Sequence, residues 1–194
     1  MGDPPFLLRK LSGCDKMGKT EGDFPGKDTT MVKEILKLGD PKLYEVSAPI
    51  TLSDMPNVKQ WVDDLHDTLM EYRKTYGAGR AVAAPQIGIQ KRLLYMYLDK
   101  PYVFINPVME FPDDEMYELL DDCMSFPGLI VKVRRHCRAR LRYLDMDLQQ
   151  KEMELEGDLS ELLQHEYDHL DGILATMRAV DNKSLILAQM KREF

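Results

Sequence analysis

Nine residues near the end of the chain, Gln164-His165-Glu166-Tyr167-Asp168-His169-Leu170-Asp171-Gly172, restrict the fold more than any other stretch. His165 and His169 stand four apart. On an α-helix such residues project from one face, about 5–6 Å from each other, so both imidazoles can reach one ion if the stretch is helical. The interposed Glu166 is suited to take a proton from water acidified by that ion and to return it later. Two of the chain's four histidines fall at this spacing around a glutamate, which an exposed helix with scattered histidines rarely produces. Two imidazoles do not complete a catalytic metal site, which usually has three protein ligands and a water. Downstream, Glu193 would give a metalloprotease-like set. Upstream, Cys123 in Asp121-Asp122-Cys123-Met124-Ser125 would give a thiolate, a strong ligand for zinc or iron(II). The same cysteine also reads as a small buried hydrophobe.

The chain has 194 residues, enough for one domain with a hydrophobic core but not for a second full domain. No apolar run approaches the roughly 20 residues of a membrane helix, so no membrane association is expected. The net charge of −7 argues against direct nucleic-acid binding, despite a local basic stripe (Arg134, Arg135, Arg138, Arg140, Arg142). Three cysteines are too few for a disulfide framework and favour reduced thiols, ligation or burial. Residues 1–30 carry Gly, Pro, Lys and acids without periodicity and read as a flexible extension, with residues 31–194 as a single catalytic domain. The acids of that extension are unlike a transit peptide, and Phe6 stands where a myristoylation signal has Ser or Thr.

Asn57 to Tyr76 predicts a helix: Trp61, Val62, Leu65, Leu69, Met70 and Tyr72 recur at helical spacing, and Gly77 is placed to end it. His66 reads as solvated among acids. Residues 92–98, 102–105 and 129–133 read as strands. Arg138 to Leu144 alternates cleanly, with Arg138, Arg140 and Arg142 on one face, so the arginine stripe reads as a solvated face. Met146 to Glu156 is its hairpin partner. A second helix runs over 158–171, ahead of Gly172. The expected class is α+β: antiparallel sheets packed around a central metal-binding helix, with another helix in the N-terminal half.

With these residues in place, the chain resembles the peptide deformylase family. That family carries a Gly-rich motif ending Ala-Ala-x-Gln, then Glu-Gly-Cys-Leu-Ser, then Gln-His-Glu-x-Asp-His-Leu-x-Gly. The third is intact at 164–172. The first appears as Gly79-Arg80-Ala81-Val82-Ala83-Ala84-Pro85-Gln86, the second as 121–125. Ile105-Asn106-Pro107 and Ile35-Leu36 leading to Asp40-Pro41-Lys42-Leu43 are also family-like. The resemblance implies a hydrolase that removes the formyl group from nascent formyl-methionyl peptides. It implies one divalent metal, usually iron(II), with Zn(II), Ni(II) or Co(II) substituting. Cys123, His165 and His169 would be ligands, Glu166 the general base and acid, and Gln86 with the backbone N–H of Met124 the oxyanion donors. Gly79, Arg80, Ala81, Val82, Asp122 and Leu162 would line the substrate. Formylated nascent peptides are the implied partners and the ribosome a further candidate. Bacterial cytosol, mitochondrion and plastid all fit.

Several positions depart from the family pattern. Ala81 replaces the middle glycine of the first motif, and Asp121-Asp122 replaces Glu-Gly. Arg80 takes a usually aliphatic place, Ile130 a position that is often basic, and Asp158 and Glu161 precede His165 on its helix face. Asp158 and Glu161 can also be read as a capping box serving only the helix terminus. An unpaired charge in an apolar pocket is costly, so Arg80 is expected to pair with an acid or face water. The expectation is retained metal chemistry beside a polar pocket, with an altered substrate preference. The competing readings are a catalytically weak metal- and peptide-binding protein and the zinc metalloprotease using Glu193.

Overall fold

Helix α1 (Met55–Tyr76) forms where the apolar periodicity predicts it. Pro56 sits in its first turn, and Gly77 ends it in the left-handed region at φ 67°, its N–H bonding the Arg73 carbonyl. These details come from a computed structural model that describes residues 31–188. The expected extension over 1–30 and the candidate ligand Glu193 lie outside the described residues. His66 on α1 is not solvated. It is half-buried, with Nδ1 2.7 Å from the Tyr95 hydroxyl and its ring edge-on to Tyr95 and Tyr97.

Strands β1 (Ala81–Ala83), β2 (Leu93–Tyr97), β3 (Pro101–Glu110), β6 (Arg138–Leu144) and β7 (Gln150–Glu156) form one antiparallel sheet in that spatial order. β4 (Met116–Asp122), β5 (Leu129–His136) and β8 (Leu185–Leu187) form the other. Helix α2 (Asp158–Leu170) touches β1, β2, β3 and β7 of the first sheet and β5 of the second. The expected α+β arrangement around a central helix is therefore the one observed. Among the described residues no helix is long and apolar enough to cross a membrane.

β6 and β7 pair over their whole lengths, and Arg138, Arg140 and Arg142 meet surface carboxylates. Arg135 departs from the solvated stripe. In β5 the alternation of Val131 and Val133 continues inward to Arg135, which is buried against α2. β3 extends beyond its expected end through a bulge between Ile105 and Val108. There Asn106 takes φ 49° and its side-chain amide clamps Ile50, accepting from its N–H at 2.7 Å and donating to its carbonyl at 2.8 Å.

Three apolar clusters fill the interior. α1 packs on β2 through Leu65, Leu69, Leu93 and Tyr95. α2 packs on the larger sheet through Leu163, Leu170, Phe104 and Leu141. Cys123 lies in the third cluster with Leu43, Phe126, Val131 and Leu174. Gly172 follows α2 at φ 69°, and a Cβ there would stand 2.5 Å from the Tyr44 carbonyl oxygen. Gly172→Ala is expected to cost about 2–4 kcal/mol from backbone strain and the clash together. Urea unfolding should show this as a lower midpoint at unchanged slope.

Candidate metal centre

The first turn of α2 aims the site. Gly157, at φ 56° and ψ −128°, precedes the helix, and no side chain caps it. Asp158 is the first helical residue, and the carboxylate of Glu161 points instead to Arg80, with Oε2 3.4 Å from Nη2. The capping-box reading of these two acids is thereby overturned: a glycine that can adopt positive φ makes the turn. Arg80 does both things expected of it, pairing with an acid while staying exposed.

One turn further on, His165, Glu166 and His169 are all buried. His165 Nε2 lies 3.2 Å from His169 Nε2, and His169 Nε2 lies 3.3 Å from Cys123 Sγ. One donor atom from each of the three residues falls within 4.8 Å of the others. Corners of a tetrahedron around zinc, with bonds of roughly 2.0–2.3 Å, stand about 3.3–3.6 Å apart. The donor set therefore fits a single ion by spacing, by burial and by chemistry. Glu166 is 4% exposed, and its Oε2 has no hydrogen-bond partner among the described residues. Burial pushes its carboxyl up to about 7 against the pull of His165.

The end of β4 supplies the support. Asp121 Oδ1 lies 2.8 Å from His165 Nδ1, which turns His165 Nε2 toward the other donors. Burial disfavours a charged His165, yet Asp121 and Cys123 outweigh it and hold its pKa well above the usual imidazole value. His169 shifts the other way: burial and the neighbouring His165 push it well down. Asp121 Oδ2 accepts from Arg135 at 3.0 Å, and Arg135 also pairs with Asp168, which pairs in turn with Arg178 at 2.8 Å. Asp121, Arg135 and Asp168 are buried and Arg178 is exposed, so removing one of the first three would leave an uncompensated buried charge.

The first motif brings Gln86 against the cysteine. Its Oε1 accepts the Ala83 N–H at 2.9 Å, and its Nε2 donates to Ser125 Oγ at 3.3 Å and toward Cys123 Sγ at 3.5 Å. The Ser125 N–H adds a contact to the same sulfur at 3.4 Å. Met124 is buried between them, and Lys37 donates to its carbonyl.

Of the residues singled out from sequence, Cys123, His165, His169, Glu166, Gln86 and Met124 come together. Arg80 and Asp122 are exposed beside them. Ala81, Val82 and Leu162 are buried in the apolar clusters. Gly79 takes φ 108°, and a Cβ there would press on Leu69 and Tyr72 of α1. Sequence reasoning missed Asp121, Arg135, Asp168 and Ser125 as partners of the site. Extending the β5 alternation one period past Val133 would have placed Arg135 inside.

Two histidines and a glutamate on a buried helix, with a cysteine brought to them from the end of β4, are the donor set and carboxylate of a single-ion metallohydrolase. The family model described as polypeptide deformylase matches residues 32–184. A peptide deformylase-like protein of Brucella melitensis is 36% identical over 165 residues, covering 84% of this chain and 92% of that protein. The peptide deformylase of Thermotoga maritima is 32% identical with a TM-score of 0.70, covering 77% of this chain and 99% of that structure. A deformylase of Acinetobacter baumannii, solved with Met-Ala-Ser bound, is 27% identical with a TM-score of 0.70, covering 77% and 99%. The chain belongs to the peptide deformylase family.

Proposed function

We propose that this chain removes the N-formyl group from nascent peptides, with Cys123, His165 and His169 holding one divalent ion. The observation that carries the assignment is the convergence of these three buried donors beside Glu166. Iron(II) is the native ion, and zinc, nickel or cobalt can replace it, since thiolate with two imidazoles suits these metals. The ion, when bound, acts as a Lewis acid and lowers the pKa of water.

The chain's own residues do the rest. Glu166 accepts a proton from the attacking water and delivers it to the departing amine nitrogen. Water oxygen bonds to the formyl carbon, the carbon–nitrogen bond breaks, and formate and a free α-amino group result. Negative charge gathers on the carbonyl oxygen meanwhile. Gln86, its amide fixed by the Ala83 N–H, and the backbone N–H of Met124 are the donors for that oxygen. They matter more here because a thiolate ligand weakens the Lewis acid. Asp121 holds His165 in the orientation that ligation needs. Formylated N-termini arise in bacterial-type translation, so the ribosome is where the substrate is met.

Anaerobically prepared iron(II) protein should release formate from formyl-Met-Ala-Ser and lose the activity on chelation. Fully loaded protein that releases none from any formyl-peptide overturns the proposal.

A further inference from the structure

Residues 36–38 lead into a turn at Gly39 and lie across both loops that face the Cys123 sulfur. The Leu36 N–H bonds the Gln86 carbonyl at 2.8 Å, and the Leu38 N–H bonds the Ser125 carbonyl at 2.9 Å. The Lys37 carbonyl accepts the Asp40 N–H at 2.9 Å. Upstream, the Lys33 N–H bonds Thr68 Oγ1 of α1 at 2.9 Å, and the Lys33 ammonium meets Asp64 at 3.5 Å. The backbone that carries the Lys37 side chain is thus fixed on both sides. From there Lys37 Nζ donates to the Met124 carbonyl at 3.1 Å.

That acceptor is one half of a peptide whose other half faces the sulfur. Cys123 to Phe126 form a turn, closed by the Phe126 N–H on the Cys123 carbonyl at 3.1 Å. Its central peptide presents the Met124 carbonyl to Lys37 and the Ser125 N–H to Cys123 Sγ at 3.4 Å. Turning that peptide over would place Ser125 at positive φ, which it does not adopt. The turn therefore aims this N–H without help, and what the ammonium adds is charge. A cation on a carbonyl draws electrons through the amide, so the N–H at the far end becomes a stronger donor. Hydrogen bonds to a thiolate withdraw charge from it and change what it gives to an ion. Lys37 is exposed, but the path from its carbonyl partner to the sulfur runs through Met124, Ser125 and Cys123, which are all buried.

Resting on the Cys123-held ion proposed above, we infer that Lys37 sets how strongly the Cys123 thiolate donates to that ion, acting through the Met124–Ser125 peptide. Lys37 is a positioning residue, since it reaches the site only through that peptide. With the ammonium in place the sulfur carries less charge, and the centre is the stronger Lewis acid. The competing account is a lysine that only pins the turn. Its loss would lower stability and leave the electronic character of the sulfur alone.

Cobalt(II)-loaded protein reads the sulfur directly, through the sulfur-to-cobalt charge-transfer band in the near ultraviolet. Lys37→Met, similar in length and uncharged, should move this band to longer wavelength, since a sulfur with more charge gives up an electron more readily. Lys37→Arg should leave it near the wild-type position. Formate release by the iron(II) protein should fall several-fold in Lys37→Met, through kcat with KM unchanged. That is less than the roughly tenfold or more lost with a direct partner of a ligand. Cobalt content certifies a loaded centre in each variant. A band that stays in place in Lys37→Met, or moves as far in Lys37→Arg, overturns the inference. If the wild type shows no sulfur band, Cys123 is no ligand, and this inference falls together with the metal-centre reading. If the band moves as expected but no formyl-peptide yields formate, the deformylase reading alone fails.

Discussion

Replacing Glu166 with Ala should cut formate release by roughly 10²–10⁴-fold while the protein still takes up one ion. The carboxylate is buried, lies between two ligand-bearing positions on one helix face, and leaves Oε2 without a partner among the described residues. A buried carboxylate oxygen with no donor costs stability, and the role left to it is to move a proton. The fold should therefore be unharmed, with a melting temperature equal to or above the wild type. Glu166→Gln should be nearly as inactive, because an amide keeps the shape and cannot take the proton. Metal analysis beside a formate assay separates the effects. Loss of the ion in either variant would mean that Glu166 holds the centre together, and retained turnover would remove it from the chemistry.

Cys123→Ala should weaken ion binding by about 100-fold or more and take deformylation with it. The sulfur stands 3.3 Å from His169 Nε2 and receives contacts from Gln86 and Ser125, an arrangement that fits a thiolate better than a packing group. The cysteine also packs with Leu43 and Phe126, so the alanine removes little volume and unfolding should shift only slightly. Loss of the ion without loss of the fold is thus the expected signature, read by equilibrium dialysis and thermal melting. Metal content and activity that survive the substitution would return Cys123 to the role of a buried hydrophobe.

The parts of the site legible in the sequence are those fixed by local geometry. Four-residue spacing on a helix announces His165 and His169, and strict alternation announces β6 at its observed ends. The strands that escaped detection are short or carry charge. β1 has three residues, all buried, and offers no alternation. β4 reads Met-Tyr-Glu-Leu-Leu-Asp-Asp, and its inward aspartate is stable only because Arg135 and His165 meet it across the sheet and helix. Such charges look solvated in a sequence because their partners are distant in the chain. The same reason hid Arg135, and it left Asp158 and Glu161 open between a helix cap and a cleft wall. Only the positive φ of Gly157 and the Arg80–Glu161 contact separate those readings.

X-ray absorption at the zinc edge of zinc-loaded protein decides whether sulfur is a ligand. A shell of one sulfur at about 2.3 Å with nitrogens at about 2.0–2.1 Å is the predicted result. A shell of nitrogen and oxygen alone would contradict the Cys123-His165-His169 centre.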